Sequence, residues 1–405
     1  MTDSIEIRKS YKYRLYRCDQ KDRKLRHKLF VASTVWNHFI ALQRRYYRLT
    51  GKYIALTKMN NHVLKLRKTQ RFVLWMDLHS QACQDVCKRV DEAYQRFFKG
   101  LAKGRPKFRK AKKYRSFTFP QSGYTLVKYN HNQPKADGKF TRVCSTIQID
   151  GIEYRFVQHR PMNGQVKTLT IKRDAVGRLW LFFSVVEQLT IQDEARTGKS
   201  GGFDFGLKTF LTDDEGRGHS SPQFYLQTLD TTRRLHRQLS RKVEGSKRYK
   251  RARRALAKHS DHVANVRRDH HFKLVHQLCQ EYDVLYFEDL NLEGMKRLWG
   301  RKVSDLGFGR FLEILEWVAF KQGKQVVKID RWYPSTQICH VCDHPNPHIT
   351  LRDREWTCPN CRTHHRRDHN AAMNIKTAGA SAGYRSASKP KVSLRRRVDG
   401  RRPQL

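Results

Sequence analysis

Apolar positions change their period several times along the chain, and each change marks an element. Residues 5–17, IRKSYKYRLYR and its neighbours, alternate β-formers with basic side chains, which predicts a strand with one face turned to a polyanion. From Lys21 to about Leu101 the spacing becomes helical: Leu25, Leu29, Val35, Phe39 and Leu42, then Val86, Val90, Ala93 and Phe97, recur at three- and four-residue intervals. Residues 116–190 return to β character in SFTF, STIQI, VKTLTIKR and GRLWLFFSVVE, with a turn signal at Asp174 to Gly177. With the first strand they can close a small barrel or sandwich into which the helical module is inserted. The polar, Gly-containing segment from Gln192 to Ser200 reads as a linker.

A second half begins with GGFDFGLKTFLTDDEGRG, which reads as a β-hairpin. Residues 228–281 read as long helices, with Leu235, Leu239 and Val243 on one stripe and Val263, Val266, Leu274 and Leu278 continuing it. The strand DVLYFEDL, a helix at about 307–323 and the strand QVVKID complete an α/β core with a mixed sheet. From about Ala378 the chain turns to Ala, Ser and Gly and then SLRRRVDGRRPQL, which predicts disorder and at most an auxiliary electrostatic role. No internal repeat is visible.

Charge narrows the class of partner. Hydrophobic residues make up 38% of the 405, enough for ordinary folded cores, yet 83 Lys and Arg against 37 Asp and Glu leave a net charge of +46. Small acidic ligands or a membrane surface need only a local basic patch, whereas this excess runs almost the whole length, as long nucleic acid requires. A generic basic protein such as a ribosomal component accounts for the charge equally well, but not for the carboxylates below. Residues 99–115, KGLAKGRPKFRKAKKYR, hold nine Lys or Arg among seventeen residues, with Phe108 and Tyr114 interleaved as rings able to stack on bases. A solvated charge run accounts for that composition as well as a binding loop does. Between Thr231 and Lys258 the outer helix face carries twelve Lys or Arg and one acid, Glu244. The expected nucleic-acid contacts are therefore Lys103, Arg105, Lys107, Arg109 and Lys110 in the loop, and Arg237, Arg241, Arg248 and Arg251 on the helices.

The amino terminus has no apolar stretch resembling a signal peptide, and the strongest apolar run, Leu179 to Val186, is far too short to span a bilayer. A cytoplasmic location is expected. Four of nine cysteines fall in two C-x-x-C pairs, a usage that suits a reducing compartment with metal binding. Cys339-x-x-Cys342, fifteen residues, then Cys358-x-x-Cys361 is the spacing of a zinc ribbon, with Pro or His-Val fillers that let the chain turn sharply. Four thiolates leave no open position, so this zinc is expected to be structural. His340, His344, His348, His364 and His365 lie nearby and read as surface histidines of a basic protein.

Three acids stand at strand ends or helix starts in this basic half: Asp204 inside GGFDFG, Glu288 ending DVLYFE, and Asp368 opening RRDHNAAMNI. Burying one carboxylate without a partner is costly, and burying three suggests a shared divalent cation. Phosphodiester hydrolysis often uses two Mg²⁺ roughly 3.5–4 Å apart, one activating water and one stabilising the leaving oxygen. Oxygen ligands suit Mg²⁺ or Mn²⁺, with Asp204 bridging both ions and Glu288 and Asp368 each completing one. Taken singly, each acid is also explained as a satisfied polar group: a Gly-x-Asp-x-Gly strand occurs in actin-like ATPases, and Glu288 with Asp289 can cap a turn or helix. No second phosphate loop accompanies the actin-like pattern.

GRPKFRK followed by SFTF, then GFDFGLKTF, FEDLNLEGM, YPSTQICHVC, WTCPNC and RRDHNAAMNI, in that order from about residue 100 to 377, resemble the TnpB family of RNA-guided nucleases of insertion sequences, related to the type V CRISPR effectors. The resemblance implies a multidomain α+β chain: a β-barrel-like wedge domain (1–20 and 116–192), an inserted helical recognition domain with the basic loop (21–115), and an RNase H-like (RuvC) α/β nuclease domain (201–335, ending at 367–377). A zinc ribbon (336–366) is inserted in the nuclease domain, and a basic tail follows (378–405). It implies Asp204, Glu288 and Asp368 as the catalytic triad and Cys339, Cys342, Cys358 and Cys361 as the zinc ligands. The implied partners are a guide RNA and target DNA, double- and single-stranded, bound by a monomeric protein in a ribonucleoprotein. Base pairing would read the target beside a short protein-read motif.

Two positions depart from the family pattern: Arg366 stands where Asp is common, and Asp343 where a Gly usually follows the second cysteine. Neither removes a triad acid or a thiolate. Relatives that act as nuclease-inactive RNA-guided regulators typically lose triad acids, and all three are present here. A strand-joining transposase also uses three acids on an RNase H-like fold, but the ribbon just before the last acid and the FEDL context fit the TnpB pattern better.

Overall fold

The computed structural model describes residues 4–128, 144–191, 196–350 and 352–381, and the chain divides into two compact units, Glu6–Gln188 and Leu189–Leu405 with the first five residues. In the first unit, strand β1 (Ser4–Leu15) runs into α1 (Asp19–Thr50), α2 (Leu56–Leu66), a 3-10 stretch at Gln70–Asp77 and α3 (Ser80–Phe98). The chain then returns as β2 (Ser116–Phe119), β3 (Tyr124–Lys128), β4 (Cys144–Ile149), β5 (Ile152–Val157), β6 (Gln165–Arg173) and β7 (Leu179–Thr190). Their order in the sheet is β2-β6-β7-β1-β5-β4-β3, so its two edges are consecutive strands and the sheet is nearly closed. The expected insertion of helices after the first strand is observed. Alternation puts Tyr13, Phe117, Phe156, Leu181 and Phe183 in one buried cluster with Leu29, Trp36, Phe39, Val86 and Val90 from the helices.

The turn signal between β6 and β7 has a side-chain cause: Asp174 Oδ1 accepts the backbone N–H of Gly177 and Arg178, both at 2.8 Å, and Oδ2 accepts Trp180 Nε1 at 2.9 Å. Tyr114, expected as a stacking ring of the basic loop, is instead 2% exposed and packed in the core. An isolated ring in a basic run carries no sequence mark of which way it faces.

The second unit holds β8 (Ser200–Phe205), β9 (Leu211–Asp213) and β10 (Gly218–His219), then α4 (Phe224–Gln227), α5 (Leu229–Ser240) and α6 (Lys247–Glu281). After these come β11 (Val284–Glu288), α7 (Leu292–Leu306), α8 (Phe308–Lys321), β12 (Gln325–Ile329), β13 (Glu355–Thr357), β14 (His364–Arg366) and α9 (Arg367–Ser381). The main sheet runs β10-β9-β8-β11-β12, with β8, β11 and β12 parallel and β9 and β10 antiparallel, the mixed sheet expected. Val243 does not extend the α5 stripe: it is 80% exposed in the turn between α5 and α6, and Val266 is 40% exposed. Helix α7 has no counterpart in the periodicity, which Gly300 interrupts where the helix kinks. Asn291 caps its start by accepting from Gly294 N at 3.1 Å, and Gly307 (φ 68) ends it. The last helix continues to Ser381, and the rest of the predicted tail lies outside the described residues.

Helix α9 lies on the face of the sheet opposite α6 and α8, since Ile375 packs on Tyr286 and Ile329 while Phe203, Phe205, Leu285 and Phe287 pack with α6 and α8. The approach is close enough to require glycine. A Cβ at Gly202 would stand 2.2 Å from the Ala372 carbonyl oxygen and 2.7 Å from Lys376 N. Replacement of Gly202 by Ala is expected to destabilise the protein by about 1–3 kcal/mol, because backbone rather than a mobile side chain is in the way. Urea unfolding of the two proteins measures it; an unchanged midpoint would mean that α9 is loosely seated.

Candidate active site and metal centre

Two of the three candidate acids share a face of the sheet because of strand parity. On β8, Phe203 and Phe205 point into the core while Gly202 and Asp204 point to the α9 side. On β11, Leu285 and Phe287 point into that core while Tyr286 and Glu288 point the other way. Phe203 pairs with Phe287, so Asp204 and Glu288 follow side by side on adjacent parallel strands. Asp368 lies in the first turn of α9, where the helix dipole favours an anion.

The electrostatics link all three acids. Burial and then the charges of Asp368 and Glu288 push the Asp204 carboxyl up to about 7, partly countered by Arg367. Burial and then Asp289 raise Glu288. Asp368 is held by two guanidinium groups: Arg367 donates to Oδ1 from Nη2 at 2.8 Å and Nε at 3.2 Å, and Arg354 donates to Oδ2 at 3.3 Å. Like charge accumulated at Asp204 is what a divalent cation would relieve, so the donor set fits a hard, oxygen-ligated metal. The carboxylates are less tightly drawn than the thiols, which among the described residues are the group whose ligand atoms all lie within 4.8 Å. Asp214 was not singled out by sequence; its Oδ1 accepts Gly202 N at 3.0 Å and its Oδ2 accepts Lys376 Nζ at 2.6 Å, fastening β8 to α9 beside the acids.

The ribbon is built from two equivalent knuckles. Asp343 N donates to Cys339 O and Arg362 N to Cys358 O, each at 2.9 Å, while Cys339 N donates to His344 O at 3.0 Å and Cys358 N to Thr363 O at 2.9 Å. Sγ atoms lie 3.6 Å apart for Cys339 and Cys361, and 3.7 Å for Cys342 and Cys358. Zn–S bonds of about 2.3 Å in a tetrahedron put sulfurs about 3.8 Å apart, so the cluster is compatible with structural zinc. The Thr363 hydroxyl and backbone N–H pull the Cys361 thiol down to about 6, favouring thiolate. Asp343 (φ 54) and Arg362 (φ 58) both occupy the left-handed region after a second cysteine, which explains why glycine is usual there; Asp tolerates it better than Arg. The other departure, Arg366, is exposed on β14 opposite Glu355.

Three of the five neighbouring histidines, His340, His344 and His365, are half-buried or buried. His365 is 3% exposed, its Nε2 is 3.1 Å from Cys339 Sγ, and its ring packs on Trp356, its cross-strand partner. His340 is half-buried and bonded through N and Nδ1 to Asn370 Oδ1 at 3.1 and 3.0 Å. The signal for His365 was the alternation of the short strand around it, too brief to read alone.

Asn370 and Asn374, one helical turn apart in RRDHNAAMNI, fasten this ribbon to α9. Asn370 Nδ2 donates to Ile338 O at 2.7 Å, and Asn374 Nδ2 donates to Ser335 O and Ile338 O, both at 2.7 Å. Arg367 adds a bond to Thr350 O at 3.3 Å. The helix that carries Asp368 is thus tied directly to the first thiolate knuckle.

All nine basic residues expected at nucleic acid are exposed. In the first unit the loop is laid along α1. Asn37 brackets the Arg109 backbone, donating to its O at 3.0 Å and accepting its N–H at 2.8 Å, and Trp36 Nε1 donates to Lys107 O at 3.2 Å. The Arg109 guanidinium stacks 4.0 Å from the Trp36 ring centre, and Arg44 lies 4.8 Å from that of Phe108. Lys103, Arg105, Lys107 and Lys110 are carried on this ordered segment, while Arg237, Arg241, Arg248 and Arg251 line α5, α6 and their turn.

Fold and site together define a cationic α+β protein with an acidic centre under its last helix and a four-thiolate ribbon tied to that helix. Family models match in three stretches: a helix-turn-helix domain over residues 1–52, OrfB_IS605, described as a probable transposase, over 183–298, and the Cas12f1-like TNB domain over 308–375. Over these stretches the chain is similar to the TnpB family, as the sequence motifs suggested. A candidate RNA-guided DNA endonuclease of Streptomyces pristinaespiralis is 26% identical over 93% of this chain and 90% of its own. InsQ of Escherichia coli K12, described in the same words, is 25% identical over 91% and 92%. Among solved structures, Cas12f1 in a complex with guide RNA and target DNA has the same overall fold, with a TM-score of 0.55 at 12% identity over 92% of this chain and 99% of that one.

Proposed function

We propose that the chain is an RNA-guided DNA endonuclease that binds a transposon-derived guide RNA, recognises a short target-adjacent motif and hydrolyses DNA at Asp204, Glu288 and Asp368. The observation that carries the chemistry is the Asp204 carboxyl, raised by burial and by the two other acids; the family and the names of its relatives carry the guidance by RNA. Asp204, Glu288 and Asp368 would hold Mg²⁺ or Mn²⁺, which supplies an activated water and stabilisation of the leaving oxygen. Arg367 and Arg354 orient the Asp368 carboxylate. The four cysteines would hold zinc in a closed, structural site.

In this reading the nearly closed sheet of residues 1–20 and 116–192 is a wedge domain, residues 21–115 a recognition domain, 201–335 with 367–377 a RuvC-like nuclease domain and 336–366 a target-binding ribbon. The exposed loop and helix lysines and arginines track the phosphates of guide and target. No helix among the described residues is long and apolar enough to cross a membrane, and a monomer within a cytoplasmic ribonucleoprotein is proposed. The nuclease-inactive regulator is disfavoured by retention of all three acids, and strand joining by transposon ends remains its alternative chemistry.

The test is to purify the protein with its flanking DNA expressed, sequence the RNA that accompanies it, and program that RNA against a plasmid. A discrete RNA with a variable end and plasmid cutting that stops in EDTA and returns with Mg²⁺ are expected. Random cellular RNA, or cutting that persists in EDTA, would overturn the proposal.

A further inference from the structure

Trp332 is 84% exposed, the highest exposure of any large apolar side chain among the described residues. It is nevertheless presented on a fixed turn. Its backbone N–H donates to Asp330 Oδ1 at 2.8 Å, Tyr333 N donates to Asp330 O at 3.3 Å, and Ser335 N donates to Tyr333 O at 2.8 Å. The side chain of Tyr333 packs inward on the cluster of Tyr286, Ile329 and Ile375. Arg331 clamps the turn sideways, its Nη2 donating to Asp289 Oδ2 at 2.6 Å and its Nε to Asp289 O at 3.0 Å.

This turn follows the carboxyl end of β12, whose Ile329 pairs with Glu288 of β11. Asp289, the residue clamped by Arg331, directly follows Glu288. The indole therefore stands at the strand-end edge of the sheet where Asp204 and Glu288 also stand, the edge at which ligands of such sheets collect. An exposed indole on a fixed backbone contributes nothing to the core. Its flat face offers what single-stranded nucleic acid takes from a protein, a stacking surface for a base beside cationic side chains.

We propose that Trp332 is the stacking platform that receives a base of the DNA strand entering the carboxylate centre. The inference rests on the nuclease reading above and adds a positioning residue to it: stacking of one base fixes the phosphate that follows against the acids.

The experiment places 2-aminopurine at successive positions of the strand displaced by the guide, in the assembled complex with EDTA, and compares wild type with Trp332→Ala and Trp332→Phe. Complex formation is measured separately by gel shift. Quenching at one or two positions in wild type and W332F, relieved several-fold in W332A, is expected. With Mg²⁺ restored, single-turnover cutting of that strand should be about 10-fold slower in W332A and near wild type in W332F, with an unchanged melting temperature. Identical fluorescence in all three complexes at every position would overturn the stacking role, as would a change confined to probes in the guide RNA. Failure of any guide to form a complex would instead remove the RNA-guided reading, and this inference with it.

Discussion

Replacing Asp204 by Asn is expected to lower target cleavage by at least about 10³-fold, since metal-assisted charge stabilisation supplies several kcal/mol to hydrolysis. The same change should stabilise the metal-free protein at alkaline pH. Asp204 is pushed up to about 7 in the folded chain by burial and by Asp368 and Glu288, well above the value of an unfolded aspartate. Between those two values the folded state keeps a proton that the unfolded state has released. The contribution of this group to stability is therefore greatest in acid and falls as pH rises to about 7. Thermal melts in EDTA at pH 5 and pH 8 should show wild type losing more stability across that interval than Asp204→Asn. A variant that melts lower at pH 8 and still cuts would make Asp204 a local structural acid.

Loss of one thiolate should be as damaging to cleavage as loss of a carboxylate, although no cysteine belongs to the acidic centre. Replacement of Cys358 by Ser should release the metal and expose residues 336–366 to protease. Metal binding by such four-ligand sites is worth about 10–16 kcal/mol and is itself the folding energy of a small ribbon. The consequence reaches Asp368 through contacts already described: Asn370 and Asn374 hold the carbonyls of Ser335 and Ile338, and Arg367 joins Asp368 to Thr350. Zinc content by mass spectrometry, limited proteolysis and target cutting on one preparation provide the test. Zinc loss with cutting intact would mean that α9 keeps its place without the ribbon.

Most of the site was legible because its chemistry is written in residue type and spacing. Two C-x-x-C pairs fifteen residues apart need no third dimension to suggest a tetrahedral thiolate site. An acid within an apolar strand is conspicuous because burying it alone is costly. The departure at Asp343 was half legible: the missing glycine was noticed, and the left-handed backbone that explains it, shared by Arg362, required the knuckle geometry.

What stayed hidden depends on which face a short element turns to its neighbour. His365 and Tyr114 were read as exposed and lie in cores, and Trp332, given no weight, is the most exposed large apolar side chain described. The helix α7 escaped because its apolar spacing breaks at the kink around Gly300. The basic loop reads as a solvated run as much as a binding element, and its composition gave no sign that Asn37 and Trp36 hold its backbone along α1.

Sequence alone determined which thiols and carboxylates are available as ligands, much of the alternation of strands and helices, and the polyanionic class of partner, since residue type, period and net charge are properties of the chain. Tertiary structure alone decided that Asp204 and Glu288 share the α9 side of the sheet, that two asparagines bind the ribbon to the helix of Asp368, and that Trp332 faces outward at their edge. The physical reason is the packing of α9: alternation sends Asp204 and Glu288 to one side of the sheet, but only close contact at Gly202 seats on that side the distant helix whose first turn holds Asp368.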